Sequence, residues 1–207
     1  MKMVSIKAYI KHVCQEHSIN LDDGFVEQLD TYLSCLEAWG QVHNLTAVKE
    51  KKEQVDVLLL PSLGLNKYLV DYKVLIDLGS GGGFPGIVCA ITNPEKEFRL
   101  VEKSPRKCSF LRYIVHKLAL KNAKVLATDF STMPVDKSVD ALLTRGSCKI
   151  NQQCVLTKDW LDQGTPLLST QSEASLQKYK QIERCSVHAL PVASKKRMLK
   201  LVIISKA

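Results

Sequence analysis

The chain has 207 residues, of which 45% are hydrophobic and 24% charged, and its formal net charge is +8. This composition suits one substantial core, or a core with a helical extension, and it excludes a disordered chain, a collagen-like repeat and a disulfide-stapled miniprotein. Apolar stretches such as Val57–Leu60 are much shorter than the roughly 20 residues of a membrane span, so no membrane segment is predicted. Seven cysteines without a Cys-x-x-Cys pair, and an N-terminus without a secretory signal pattern, favour the cytoplasm.

Residues 1–65 have helical patterns. Between residues 24 and 39, apolar side chains recur at steps of three and four, as on one face of an amphipathic helix; they are Phe25, Val26, Leu29, Tyr32, Leu33, Leu36 and Trp39. A break is predicted at Gly40, and Val55–Leu60 supplies the next apolar face, with Pro61 marking its end or a kink. We therefore predict an N-terminal helical extension over residues 1–65.

From residue 66 onward, short β-rich runs alternate with helical patterns. The predicted strands are Lys73–Leu78, Glu97–Glu102, Ala123–Ala127, Val139–Thr144, Leu167–Thr170, Cys185–Leu190 and Met198–Ser205, with helices over Pro85–Thr92 and Pro105–Leu120. Strands joined by helices favour crossover connections and a parallel sheet covered on both faces. The expected fold is α/β and Rossmann-like: a mostly parallel sheet over residues 66–207, preceded by the helical extension.

A glycine-rich loop follows the first predicted strand, with five glycines between residues 79 and 86. A simple turn needs one or two, so the cluster favours a cofactor site at which a ligand approaches the backbone closely. Residues 81–86 also match the dinucleotide pattern G-x-G-x-x-G, which is weak evidence alone. Asp77, at the end of the strand, would repel a pyrophosphate and attract the sulfonium and ammonium of S-adenosylmethionine, which favours that cofactor over NAD. Alternatively, Asp77 only holds loop amides.

Further candidates follow the other strands, at the same edge of the predicted sheet. Glu102 ends the second strand, where an acidic side chain meets the ribose of a bound adenosine group. Asp129 and Phe130 follow the third strand and could flank adenine, or they belong to an exposed loop. Arg145 ends the fourth strand and is a candidate for cofactor or phosphate contact. No histidine or cysteine spacing suggests a metal site.

With these residues placed, the chain resembles the RsmG (GidB) family, which methylates N7 of a guanine in bacterial small-subunit ribosomal RNA. The resemblance is carried by residues 39–46 (WGQVHNLT), 77–87 (DLGSGGGFPGI), 100–104 (LVEKS), Arg106, Lys107, residues 110–112 (FLR) and residues 144–146 (TRG). It implies the class I S-adenosylmethionine-dependent methyltransferase fold, with Gly79 and Phe84 on the methionine side of the cofactor. It also implies that Glu102 binds the ribose and that Asp129 and Phe130 flank adenine. Ser80 and Gly81 complete the predicted cofactor site with Asp77 and Arg145.

The predicted catalytic residues are Arg145, which the resemblance places at the active edge, and His43, the first histidine to test. Guanine N7 is an unprotonated lone pair, so its methylation needs alignment and electrostatic support but no general base. The sequence contains neither a Pro-Pro pair nor a Pro-Cys pair, which disfavours the methyltransferases of exocyclic amines and of cytosine C5.

The sequence departs from the family at two places. Relatives commonly have a His-x-x-Asp-Ser pattern where this chain has Leu58–Ser62, and a Lys-Gly after the fifth strand where it has residues 168–171 (LSTQ). These departures support an alternative in which a methyltransferase-like protein of reduced activity binds RNA or the ribosome. A nicotinamide-dependent oxidoreductase is the competing enzyme class.

Two basic clusters suggest a polyanionic partner, which the resemblance identifies as ribosomal RNA or the small ribosomal subunit. The first comprises Lys103, Arg106, Lys107, Arg112, Lys117, Lys121 and Lys124; the second comprises Lys195, Lys196, Arg197, Lys200 and Lys206. Both could instead be solvated surfaces that keep the protein in solution. We expect a monomer.

Overall fold

The computed structural model describes residues 5–146, 148–177, 185–193 and 198–205. The α-helices are α1 (Ile6–Glu16), α2 (Asp23–Gly40), α3 (Lys51–Gln54), α4 (Leu60–Leu63), α5 (Gly86–Thr92), α6 (Pro105–Lys117), α7 (Ile150–Leu156), α8 (Lys158–Asp162) and α9 (Glu173–Gln177). The strands are β1 (Val74–Leu78), β2 (Glu97–Glu102), β3 (Ala123–Ala127), β4 (Ala141–Arg145), β5 (Leu167–Ser172), β6 (Cys185–Ala189) and β7 (Leu199–Ile204). Short 3₁₀ turns cover Asn66–Tyr68 and Phe130–Thr132.

The apolar periodicity of the N-terminal region produces the predicted amphipathic helix. In α2, the side chains of Val26, Leu29, Tyr32, Leu33 and Leu36 are buried on one face, as the recurrence at three and four residues requires. The helix ends at Gly40, which confirms the predicted break.

The segment around Pro61 is a continuous helical rod with one widened turn. A π-helical turn over Val55–Leu59 joins α3 to α4, and the N–H of Leu60 donates to the carbonyl oxygen of Val55, five residues earlier. Pro61 lies in the first turn of α4, where its missing N–H costs little, and the helix runs on to Leu63. Pro61 therefore does not end the helix.

The seven strands form one sheet in the order β3-β2-β1-β4-β5-β7-β6. The first five are parallel, whereas β7 runs antiparallel to both β5 and β6. This arrangement confirms the predicted mostly parallel α/β fold. Because parallel strands end together, the carboxyl ends of β1, β2 and β4 lie at one edge, where open α/β sheets bind ligands. The second predicted helix is shorter than expected: it ends at Lys117, and Ala119 has a positive φ of 51°.

The N-terminal helices and one face of the sheet share a hydrophobic core. Its largest cluster joins Leu29 and Leu33 of α2 with Ile87 of α5, Phe110 of α6 and Leu100 of β2. A second cluster, on the other face of the sheet, includes Ile76, Val101 and Trp160. The helical extension is thus packed directly over the part of the sheet that carries the glycine loop. None of the described helices is both long and apolar enough to cross a membrane.

Candidate active site

The loop between β1 and α5 adopts a conformation that depends on its glycines. Gly79, Gly81 and Gly83 have positive φ angles of 66°, 56° and 97°, which side chains other than glycine rarely tolerate. The loop is closed by a hydrogen bond from the N–H of Gly83 to the carbonyl oxygen of Ser80, at 2.7 Å. From α2, the hydroxyl of buried Tyr32 donates to the carbonyl oxygen of Gly82, at 2.6 Å. The helical extension therefore holds the loop from behind.

Gly83 and Gly86 allow close packing behind the loop and do not line the cavity in front of it. A Cβ atom at Gly86 would lie 2.5 Å from the Oδ2 atom of Asp77 and 2.5 Å from a methyl carbon of Leu100. One at Gly83 would lie 2.9 Å from the Tyr32 hydroxyl. The third glycine of a G-x-G-x-x-G pattern has this role in bringing helix and strand together.

Asp77 is completely buried beneath the loop, and its Oδ2 atom accepts a hydrogen bond from the N–H of Gly86 at 3.1 Å. Its Oδ1 atom has no hydrogen-bond partner among the described residues. Burial raises the pKa of Asp77 to about 7, because desolvation disfavours the charged form. The expectation that Asp77 presents a charge to the ligand is not met, since its side chain faces the start of α5. It holds a loop amide, as the alternative interpretation proposed.

A cavity of about 740 Å³ opens at the carboxyl edge of the sheet, in front of the loop. It brings together most of the predicted site residues: Gly79, Ser80, Gly81, Phe84, Glu102, Asp129, Phe130 and Arg145. It is also lined by Leu45, Thr46, Ala47 and Val48, by Lys103 and Lys107, and by Cys148, Gln153, Leu156 and Thr157. A cavity of this size is within the range of small-molecule and cofactor sites.

Glu102 is a buried carboxylate in the cavity wall, with only 7% of its surface exposed. Its Oε2 atom accepts a hydrogen bond from the N–H of Gly81 at 3.0 Å, and its Oε1 atom accepts one from the N–H of Ser104 at 2.8 Å. These two amides fix the carboxylate beside the loop. A carboxylate can accept about four hydrogen bonds, so acceptor capacity remains for a ligand in the cavity.

Asp129 lies across the cavity from the loop and begins the 3₁₀ turn that carries Phe130. Its carboxylate accepts hydrogen bonds from the N–H and hydroxyl of Ser131 and pairs with Lys103 at 3.1 Å. The hydrogen bonds from Ser131 and from Lys103 lower the pKa of Asp129 to about 2. The ring of Phe130 packs against Trp160, with the ring centres 5.7 Å apart. Both residues are therefore well fixed at the cavity wall.

Arg145 connects the end of β4 to the π-helical turn. Its guanidinium donates hydrogen bonds to the carbonyl oxygen of Leu58, at 3.3 Å, and to that of Val57. These carbonyls belong to the segment in which the sequence departs from the His-x-x-Asp-Ser pattern. The backbone of that segment thus holds a cation at the cavity.

His43 is the one predicted site residue, besides Asp77, that the structure does not bring to the cavity. Its half-buried ring packs against Trp39, with the ring centres 5.8 Å apart, and the cavity lining does not include it. The tight turn that follows, with the N–H of Leu45 bonded to the carbonyl oxygen of His43 at 2.8 Å, directs Leu45 toward the cavity instead. This placement gives no support to a catalytic role for His43.

The sequence interpretation missed the part of the lining that α7 provides. Gln153 donates to the carbonyl oxygen of Cys148 at 2.9 Å and accepts from Ser169 at 2.6 Å and from Gln171 at 3.3 Å. This buried neutral network occupies the end of β5, where the family pattern has Lys-Gly. A single Gln in a short polar helix gives no sequence signal for such a role. No group of three or more potential metal ligands occurs in the described part of the chain.

Comparison with solved structures defines the class of protein. A putative O-methyltransferase from Klebsiella pneumoniae matches with a TM-score of 0.61 at 14% identity, covering 97% of both chains. A SAM-dependent methyltransferase from Aquifex aeolicus matches with a TM-score of 0.52 at 13% identity, covering 73% of this chain and 92% of that one. The fold is that of the class I S-adenosylmethionine-dependent methyltransferases.

The family model GidB, described as rRNA small subunit methyltransferase G, matches residues 25–200, and the chain belongs to this family. Three relatives carry the name ribosomal RNA small subunit methyltransferase G. The protein from Dichelobacter nodosus is 40% identical over 65% of this chain and 64% of its own length. That from Chromobacterium violaceum is 32% identical over 73% and 72%, and that from Francisella philomiragia is 28% identical over 98% and 95%. The family resemblance seen in the motifs is confirmed.

Proposed function

We propose that this chain is an S-adenosylmethionine-dependent methyltransferase that modifies N7 of a guanine in small-subunit (16S) ribosomal RNA. The observation that carries the proposal is that the cofactor wall of a family member is complete here. The glycine loop and the buried carboxylate of Glu102 line one cavity at the carboxyl edge of the sheet. The family membership supplies the substrate class and the position of the methyl group.

The residues in the cavity fit S-adenosylmethionine. Glu102 keeps acceptor capacity for the ribose hydroxyls, and Asp129 and Phe130 form the wall for adenine. The backbone of Gly79 and Gly81, together with the side chain of Phe84, forms the part for the methionine moiety. When bound, the cofactor supplies an electrophilic methyl group on a positively charged sulfur.

The chain's own residues have to align the guanine and stabilise charge, because N7 already presents a lone pair. Both carboxylates in the described lining, Glu102 and Asp129, are held by hydrogen-bond donors and are not placed as a free base. Arg145 brings a fixed cation to the cavity, suited to an RNA phosphate or to the guanine O6 acceptor. The arrangement therefore matches a reaction without a general base.

The sheet disfavours a nicotinamide-dependent oxidoreductase. The dinucleotide fold has the strand order 3-2-1-4-5-6, whereas here antiparallel β7 lies between β5 and β6. With Asp77 turned away from the ligand, this topology and the family membership replace the charge argument from the sequence. We also propose that the protein acts as a monomer on ribosomal RNA or the small subunit in the cytoplasm; the charge of +8 and the seven cysteines support this.

The test is methyl transfer from labelled S-adenosylmethionine to 16S ribosomal RNA from cells lacking the gene, supplied as free RNA or as small subunits. Mass spectrometry should locate one 7-methylguanine in a wild-type reaction. If the protein binds S-adenosylhomocysteine but labels neither substrate, it is a binding protein of reduced activity. Tight NADH binding without a response to S-adenosylhomocysteine would identify the oxidoreductase.

The cofactor site can be tested separately with two glutamates of the same strand. Glu102→Ala should weaken S-adenosylhomocysteine binding by about 1 to 3 kcal/mol, the scale of a charge-assisted hydrogen bond. Glu97→Ala is the matched control, because Glu97 lies at the other end of β2 and pairs with Arg99 at 2.7 Å. Equal affinities in both variants would show that the cofactor lies elsewhere.

A further inference from the structure

The segment from Lys103 to Thr128, which contains α6 and β3, carries charge of one sign. It contains no Asp or Glu but has seven Lys and Arg residues: Lys103, Arg106, Lys107, Arg112, Lys117, Lys121 and Lys124. We call the surface formed by these seven side chains the basic face. All are exposed except Lys107, which is partly buried at the cavity.

The basic face is not neutralised by the rest of the described chain. Of its seven cations, only Lys103 forms an ion pair within the described residues, with Asp129. Cations elsewhere are paired more fully; Arg99 contacts both Glu97 and Asp136, for example. Unpaired charges of one sign create a positive potential that attracts a polyanion.

The basic face is also continuous with the active-site cavity. Lys103 and Lys107 line the cavity at the start of α6. At the far end of the helix, Arg112, Lys121 and Lys124 line a shallow groove of about 560 Å³ between α6 and β3. The 13 residues of α6 separate the two by roughly 20 Å at 1.5 Å per residue. A nucleic-acid strand lying along this path would reach the cavity.

Exposed aromatic surface borders the same path. Tyr113, on α6, is 40% exposed and packs against Trp39 of α2, with the ring centres 5.4 Å apart. Aromatic side chains beside a basic track are typical of surfaces on which single-stranded bases stack. The WGQVH motif, of which His43 is part, thus contributes to the border of the basic face.

The second basic cluster of the sequence differs. Lys200 pairs with Glu173 at 3.7 Å, and Lys195, Lys196, Arg197 and Lys206 lie outside the described residues. Only the first cluster is therefore described as an unneutralised surface.

We propose that the basic face binds the phosphate backbone of the RNA substrate and leads the strand to the cavity. This inference rests on the proposed function, because it assigns the RNA a docking surface outside the site of chemistry. The face recognises phosphates and carries no sequence information, so base selection is left to the cavity.

The test measures how salt affects the binding of a 20-nucleotide single-stranded RNA of mixed sequence. Lys121→Gln/Lys124→Gln removes two charges of the groove. Its matched control is Lys73→Gln/Lys137→Gln, which removes two exposed lysines outside the basic face. Each lost phosphate contact should reduce the slope of log K against log salt by about 0.7 to 0.9. The groove variant should thus bind about 25- to 60-fold more weakly at ~0.1 M salt, with an unchanged affinity for S-adenosylhomocysteine.

A groove variant with the same slope and affinity as the control would overturn the inference and show a solvated surface. So would wild-type protein that binds the RNA without a salt dependence. The result is separable from the proposed function. If the groove variant loses the slope but wild-type protein transfers no methyl group, the basic face stands and the activity fails. If 16S ribosomal RNA is methylated with an unchanged KM in the groove variant, the activity stands and the basic face fails.

Discussion

The buried carboxyl group of Asp77 makes the stability of the protein depend on pH, and Asp77→Asn isolates that contribution. The folded pKa of about 7 lies above the ordinary value of 3.8. Between these values the folded protein holds a proton that the unfolded chain has released, so wild-type stability falls as the pH rises from about 4 to about 7. The total loss is about 4 kcal/mol at 1.36 kcal/mol per pKa unit.

The variant keeps an oxygen to accept the hydrogen bond from Gly86 and has no titrating group. Its free energy of unfolding relative to wild type should therefore rise by roughly 2 to 3 kcal/mol between pH 5 and pH 8. Urea unfolding at several pH values in this range, followed by the fluorescence of Trp39 and Trp160, measures this difference. Taking the difference between the two proteins cancels the contributions of the other groups.

Asp136→Asn provides the control. Asp136 pairs with Arg99, and hydrogen bonds from Ser138 and that guanidinium lower its pKa to about 2. Its contribution is lost only as the pH falls from about 4 toward 2, so this variant should differ from wild type by a constant amount between pH 5 and pH 8. A constant difference for Asp77→Asn as well would refute the argument that burial keeps Asp77 protonated.

Two further substitutions test the support behind the glycine loop. Tyr32→Phe leaves the buried carbonyl oxygen of Gly82 without its donor and should destabilise the protein by about 1 to 3 kcal/mol; Tyr113→Phe, at a partly exposed ring, should cost less than about 0.5 kcal/mol in the same urea assay. Gly86→Ala places a methyl group 2.5 Å from a carboxylate oxygen of β1 and should cost about 1 to 3 kcal/mol. Gly24→Ala, in open space on α2, should be neutral or stabilising by up to about 1 kcal/mol. Indistinguishable melting temperatures within either pair would contradict the packing described.

The features that could be predicted from the sequence are those encoded locally. The strands and the long helix α2 follow from the spacing of apolar residues, and the cofactor loop follows from its glycines. Glu102 was found because the end of a strand fixes where its side chain lies, whatever the rest of the chain does. These predictions needed no knowledge of tertiary contacts.

The features that could not be predicted depend on which parts of the chain meet in space. Asp77 could face the ligand or the start of α5, and only the packing of Gly86 against it decides between them. Tyr32 has the spacing of an ordinary core residue, so its hydrogen bond to the loop leaves no mark in the sequence. Likewise, the π-helical turn that holds Arg145 gives no pattern distinct from that of a regular helix.

The contact between Tyr32 and the loop has a consequence for how this protein can be shortened. A fragment starting at residue 66 would contain every cofactor motif, yet it would leave the carbonyl oxygen of Gly82 unpaired and expose the apolar surfaces of α5 and α6 to water. Such a fragment should aggregate and should not work as a minimal catalytic unit. Loss-of-function mutations should accordingly map to the first sixty residues as well as to the cofactor motifs.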